Sequence, residues 1–118
     1  ARTLAEWRRG MAAVARRPQV YVKLSMLGCS VPGWCEDEKK EALLRSLVLE
    51  VIERFGASRC MFASNWHVSG ALSDSDSPAA PDVSMEALFA SYESWVSHLS
   101  PPDVQALFAT TAEEFYRI

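Results

Sequence analysis

The sequence predicts a parallel α/β arrangement, and three stretches carry that prediction. Residues 20–25, Val-Tyr-Val-Lys-Leu-Ser, alternate strictly. Val20, Val22 and Leu24 fall on one face and Tyr21, Lys23 and Ser25 on the other, the period-two pattern of a strand. Residues 60–64, Cys-Met-Phe-Ala-Ser, are apolar on both faces, as in a strand covered on both sides within a parallel sheet. Between them lie roughly 35 residues with a long amphipathic segment, enough for a βαβ crossover that returns the chain parallel to its start, with a right-handed connection expected. Ligands of such sheets lie beyond the carboxyl ends of the strands. Ser64, Asn65, Trp66 and His67 stand there in sequence and lead the candidates for a site.

Taken in order, Thr3 to Glu6 forms a capping box, Thr-x-x-Glu, which supplies acceptors to the orphan amides of a helix start. Leu4, Trp7, Met11 and Val14 then recur at three- and four-residue steps on one face. Arg16 and Arg17 complement the helix C-terminus, and Pro18 blocks its continuation. In the strand that follows, Lys23 is either solvated or paired, or it points into a polar interior as part of a site. Residues 26–35 read as a loop with Gly28, Pro32 and Gly33. Within it Trp34 either stacks on a ligand or seals the loop against the core, the commoner use of an indole.

Glu36, Asp37 and Glu38 favour a helix N-terminus, and Leu44, Leu47, Val48, Val51, Ile52 and Phe55 form the apolar stripe of that helix. Gly56 suits the position just past its end. After His67 a long polar stretch without period reads as a loop to Ser84. Asp74 and Asp76 in it lack the Gly and distal Glu of a calcium loop and read as solvated acids. Met85, Leu88, Phe89, Tyr92, Val96 and Leu99 describe another amphipathic helix, with His98 in its last turn against the dipole. Ser100-Pro-Pro-Asp103 starts a short helix burying Val104, Leu107 and Phe108. Thr111-Ala-Glu-Glu114 reads as a further capped start that carries Phe115 and Tyr116.

The 118 residues fit one domain or part of one, and 49% hydrophobic with 23% charged residues is a globular composition. A net charge of −3 gives no electrostatic case for nucleic acid or an anionic membrane surface. No apolar run approaches the ~20 residues of a membrane span, and no signal peptide is visible. Cys29, Cys35 and Cys60 are odd in number and lack Cys-x-x-Cys spacing, which argues for free thiols in a reducing, cytoplasmic setting rather than a disulfide scaffold or zinc knuckle. Two strands neither close a barrel nor make a doubly wound sheet. Residues 1–118 are therefore expected to be a piece of a larger fold, with the missing strands upstream. Taken alone, such a piece should expose apolar surface along Val20, Val22 or Met61, Ala63, and an open sheet edge that recruits another chain.

Five segments carry a family resemblance: Glu6-Trp-Arg-Arg-Gly-Met11, Val20-Tyr-Val-Lys-Leu-Ser25, Arg54-Phe-Gly56, Arg59-Cys-Met-Phe-Ala-Ser-Asn-Trp66 and Phe115-Tyr-Arg117. In this order and spacing the chain resembles the C-terminal part of amidohydrolase-related proteins, in the branch of sugar lactonases and pyrone-dicarboxylate hydrolases. The resemblance implies a (β/α)₈ TIM barrel of ~250 residues or more, of which this chain holds the last strands and helices. Residues 20–25 would be the seventh strand and 60–64 the eighth. It further implies hydrolysis of a lactone, ester or amide by activated water, on a small-molecule substrate, in the full-length parent. A divalent metal such as zinc is implied for metal-dependent members, and none of its ligands is assigned to this chain. Partners implied are a homo-oligomer or a complementing chain, with no nucleic acid and no membrane. The fragment alone is expected to be inactive, because a barrel site is assembled from several strands.

At the position of the family's strand-end Asp stands Asn65, whose amide takes no proton at neutral pH. Asn65 either orients substrate or water, marks lost catalysis, or caps the strand-to-loop turn through its own side chain. His67, where the family usually has Pro, is the stand-in for a general base. Lys23, Ser25, Trp34 and Trp66 are the expected substrate contacts. A Ser64, His67, Asp74 triad lacks the strand-turn-helix elbow that would expose its nucleophile.

Overall fold

The computed structural model describes residues 3–64 and 84–118. Helix α1 (Leu4–Ala15) leads to strand β1 (Val22–Leu24), a short helix α2 (Leu27–Ser30) and a 3₁₀ turn at Trp34–Glu36. The long helix α3 (Glu38–Phe55) returns through a second 3₁₀ turn to strand β2 (Cys60–Phe62). Helices α4 (Met85–Trp95), α5 (Pro101–Gln105) and α6 (Thr111–Tyr116) follow, the last two joined by a π-helical turn at Ala106–Thr110.

The strands pair in parallel, with Val22 beside Cys60, Lys23 beside Met61 and Leu24 beside Phe62. A mixed α/β chain with a βαβ unit is thus what the sequence folds into. Both strands are shorter than their alternation suggests, and the cause lies in the backbone. The Val20 N–H turns back to Arg17 O at 3.0 Å, and Val20 O is taken by the Arg59 guanidinium at 3.4 Å, so neither group enters the ladder. At the other end the ladder runs one step past β2, where Ala63 N–H donates to Leu24 O at 3.1 Å.

Local signals hold where a side chain satisfies backbone. Thr3 and Glu6 exchange both bonds of the capping box, at 3.1 and 2.8 Å. Asp37 caps α3 by accepting from Lys39 and Lys40 N–H at 2.8 and 3.1 Å. Gly56 ends α3 at φ +84°, a backbone conformation that a side chain rarely adopts. Three readings are corrected. The loop at 26–35 contains α2 and the 3₁₀ turn. Helix α4 stops at Trp95, because Ser97 and Leu99 N–H fold back on Ser94 and Val96 O, so His98 lies exposed in a turn. Thr111 caps nothing: it is 1% exposed, has helical dihedrals, and sends its hydroxyl to Ala57 O at 2.7 Å.

The core lies between the sheet and α3, α4 and the α5–α6 segment. Val48, Val51, Ile52 and Phe55 of α3 face Leu24 and Cys60 of the strands and Leu88, Tyr92 and Trp95 of α4. Each such side chain contributes about 1.5–3 kcal/mol when fully buried. Helix α1 buries nothing completely; Trp7 and Met11 lean on the core while Leu4 and Val14 are each 43% exposed, so its apolar stripe is half used. Phe62 stacks on Tyr92 at 4.2 Å and meets Phe108 at 5.0 Å. The expected bare face along the strands is not there: Met61 is 3% exposed, and Val20, Val22 and Ala63 are half-buried. Among the described residues, the large apolar side chains left in solvent include Met26 in the turn after β1, Leu43 of α3, Phe115 and Tyr116 of α6, and Ile118.

Candidate active site

Parallel pairing brings the carboxyl ends of β1 and β2 together. Because Leu24 pairs with Phe62 and its carbonyl holds the Ala63 N–H, Ser25 falls opposite Ala63 and Ser64 follows one residue further on, so both leave the sheet at the same end, and both are half-buried. One more tie fixes this rim: the Tyr92 hydroxyl donates to Ala63 O at 3.0 Å. Immediately after Ser25, Met26 adopts φ +51° and ψ +39° and is 41% exposed. A left-handed residue that is not glycine costs about 1–2 kcal/mol, and here it turns the chain sharply off the strand.

Lys23 is exposed, on the face opposite Val22 and Leu24, and its ammonium stands 4.8 Å over the Tyr116 ring. Residues Val22 to Ser25 also floor a cleft of about 240 Å³ whose walls include Trp7 and Met11 of α1 and Leu44 and Val48 of α3. Lys23 and Ser25 are therefore neighbours on one strand end. Trp34 is elsewhere. It is 2% exposed, meets Trp95 edge-on at 5.5 Å, and its Nε1 has no acceptor among the described residues. It touches a different cleft, of about 320 Å³, beside Glu36, Glu38 and Glu41 at the start of α3. Asn65, Trp66, His67, Asp74 and Asp76 lie outside the described residues.

The amino ends of the strands are built differently. Arg59, just before β2, donates to Phe55 O at 3.1 Å, Arg17 O at 2.8 Å, Ala15 O at 2.9 Å and Val20 O at 3.4 Å. Its guanidinium also lies 5.1 Å from the Phe55 ring centre. One side chain thus satisfies orphan carbonyls at the ends of α1 and α3 and the turn into β1. Next to it the Cys60 thiol is fully buried, and burial pushes its pKa up to about 12, against a smaller downward pull from Arg59. It is a structural thiol and not a nucleophile. Sequence reasoning passed over Arg59 as a link residue and Tyr92 as apolar stripe. The available signal was chemical: a Tyr in place of Leu brings a hydroxyl that must find a partner when buried.

Among the described residues no three His, Cys, Asp or Glu side chains converge as a metal site. The described part of the chain does not fit a divalent ion by itself. Nor, among the described residues, is any helix long and apolar enough to cross a membrane.

The fold is that of an α/β chain with two parallel strands, and comparison supplies the family. The amidohydrolase family matches residues 1–118, and the chain belongs to it. A similar protein is "Uncharacterized protein y4mH" of Sinorhizobium fredii (strain NBRC 101917 / NGR234), 31% identical over 112 residues. That match takes in 95% of this chain and 33% of the relative, so the chain spans about a third of the length of the curated relative it matches. No solved structure matches.

Proposed function

We propose that this chain is the C-terminal portion of a (β/α)₈ barrel hydrolase that opens a lactone, ester or amide bond with activated water. The observation that carries the reading is the parallel register of β1 and β2, in a chain of the amidohydrolase family, which gathers Ser25 and Ser64 at one rim beside Lys23. Two strands among the described residues, in a chain a third the length of its relative, support the view that further strands complete the sheet. Lys23 and Ser25 are proposed to contact a small-molecule substrate, with Trp66. Asn65, the next residue after Ser64, orients the attacking water or the scissile carbonyl, since an amide donates and accepts hydrogen bonds but takes no proton. His67 is the nearest group in sequence with a basicity suited to neutral pH. A divalent ion such as zinc, in a full-length protein, would draw ligands from beyond the described residues. The setting we propose is cytoplasmic, where a buried thiol such as Cys60 stays reduced.

The test is a chimaera in which this chain replaces the matching third of the rhizobial relative. It is assayed against lactones, esters and amides, with and without added zinc, as Asn65 and as Asn65→Asp. The reading predicts hydrolysis, with Asn65→Asp at least as active. A folded chimaera that hydrolyses nothing in either form removes it.

A second reading has its own support. Each strand has a single neighbour among the described residues, and an open strand edge is a template for another chain. In that reading the chain is a non-catalytic module, alone inactive, that pairs with a second copy or a complementing chain. Sedimentation of the isolated chain separates the two: a strict monomer at high concentration speaks against the module.

A further inference from the structure

We propose that the end of α6 is a clasp that holds Lys23 away from the strand-end rim. The inference rests on the reading of that rim as a substrate site, and it concerns how the site is regulated.

Helices α1 and α3 pack against the side of β1 that carries Val22 and Leu24. The other side carries Tyr21 and Lys23, and α6 supplies what meets it. Phe115 lies 5.0 Å from Tyr21, Tyr116 lies 4.9 Å from Phe115, and the Lys23 ammonium sits 4.8 Å over the Tyr116 ring. Among the described residues Lys23 forms no ion pair, so its charge is answered by a π face. The clasp is anchored at one end only. Thr111 is buried and bonded to Ala57 O, whereas Phe115 and Tyr116 are 45% and 47% exposed. Ser25 stands two residues on from Lys23 on the same face, ~7 Å along a strand, within the reach of a released lysine. Opening α6 would therefore hand the ammonium to an anionic group, such as a carboxylate, at the rim.

The test needs no hydrolysis. The full chain is treated with limiting acetyl N-hydroxysuccinimide ester, and labelling of Lys23 is read by mass spectrometry against Lys39 and Lys40 of the same molecule. Tyr116→Leu should raise relative labelling of Lys23 about two- to fivefold, the range of an exposed cation–π contact, and Tyr116→Phe should leave it as in the parent. Unchanged labelling in Tyr116→Leu, or Tyr116→Phe matching Tyr116→Leu, overturns the clasp. Should the Leu variant lose its fold, the unaltered chain still decides: the Lys23 ε-methylene protons should be shifted upfield by the ring, and protons at the positions of Lys39 and Lys40 contradict it. A failed chimaera assay would leave these results standing, and a failed clasp would leave the hydrolase reading standing.

Discussion

The two ends of the small sheet are held by opposite means. At the amino end a single arginine, Arg59, ties four carbonyls from three segments, and Thr111 adds a buried bond to Ala57 O. At the carboxyl end the Tyr92 hydroxyl holds Ala63 O, and the chain leaves β1 through a left-handed methionine. The lesson is a division of labour along one strand pair. The amino end is rich in internal partners among the described residues. The end where ligands of such sheets bind keeps Lys23 exposed and Ser25 and Ser64 half-buried.

The largest expected effect breaks the amino end. Arg59→Ala strips partners from carbonyls at two helix ends and should cost about 2–4 kcal/mol, read as a fall in the urea midpoint. Arg59→Lys should recover less than half, because an ammonium lacks the planar fork that reaches several carbonyls at once. Equal stability of all three forms would dissolve the contrast between the ends.

The next effect sharpens it. Tyr92→Phe removes the tie to Ala63 O and should cost about 1 kcal/mol. Hydrogen exchange should quicken at Ala63 and Ser64 and stay unchanged around Arg59 and Cys60. Quickening at both ends alike would mean that the rims are not independent.

The smallest concerns pH. The Cys60 thiol has its pKa raised to about 12 by burial, so the fold favours the protonated form. Its contribution is full below the unfolded thiol's pKa, near 9, and is lost as pH climbs from there towards about 12. Stability should be flat with respect to this group at neutral pH and decline in that alkaline window, and Cys60→Ser should flatten the decline. The native thiol should also stay silent to thiol reagents at pH 8 until urea unfolds the chain.

Much of this architecture could be read from residue order. Alternation at 20–25, two apolar faces at 60–64 and the stripe of α3 were enough for a parallel βαβ unit, because burial on one side or both leaves a period in the sequence. The cap at Thr3 was legible because its partner lies within three residues, and the acids at 36–38 marked the start of α3 without singling out Asp37 as its cap. What escaped depends on partners far along the chain. Arg59 meets Ala15 and Arg17 across more than forty positions, Tyr92 meets Ala63 across 29, and Thr111 meets Ala57 across 54. No local pattern announces such bonds, and a threonine three residues before a Glu resembles a cap whether or not it is one. Of the candidate residues, Lys23 and Ser25 were singled out through strand position and stand together on β1, Trp34 stands at a different cleft, and Tyr116 gave no sign of its place over Lys23.

The central claim is the parallel register that places the two carboxyl ends at one rim. A nuclear Overhauser spectrum of the chain tests it directly. Cross-strand contacts should link Val22 with Cys60 and Leu24 with Phe62, with the Ala63 amide close to Leu24. Contacts linking Val22 with Phe62 and Leu24 with Cys60 would mean antiparallel strands, and would send Ser25 and Ser64 to opposite ends of the sheet.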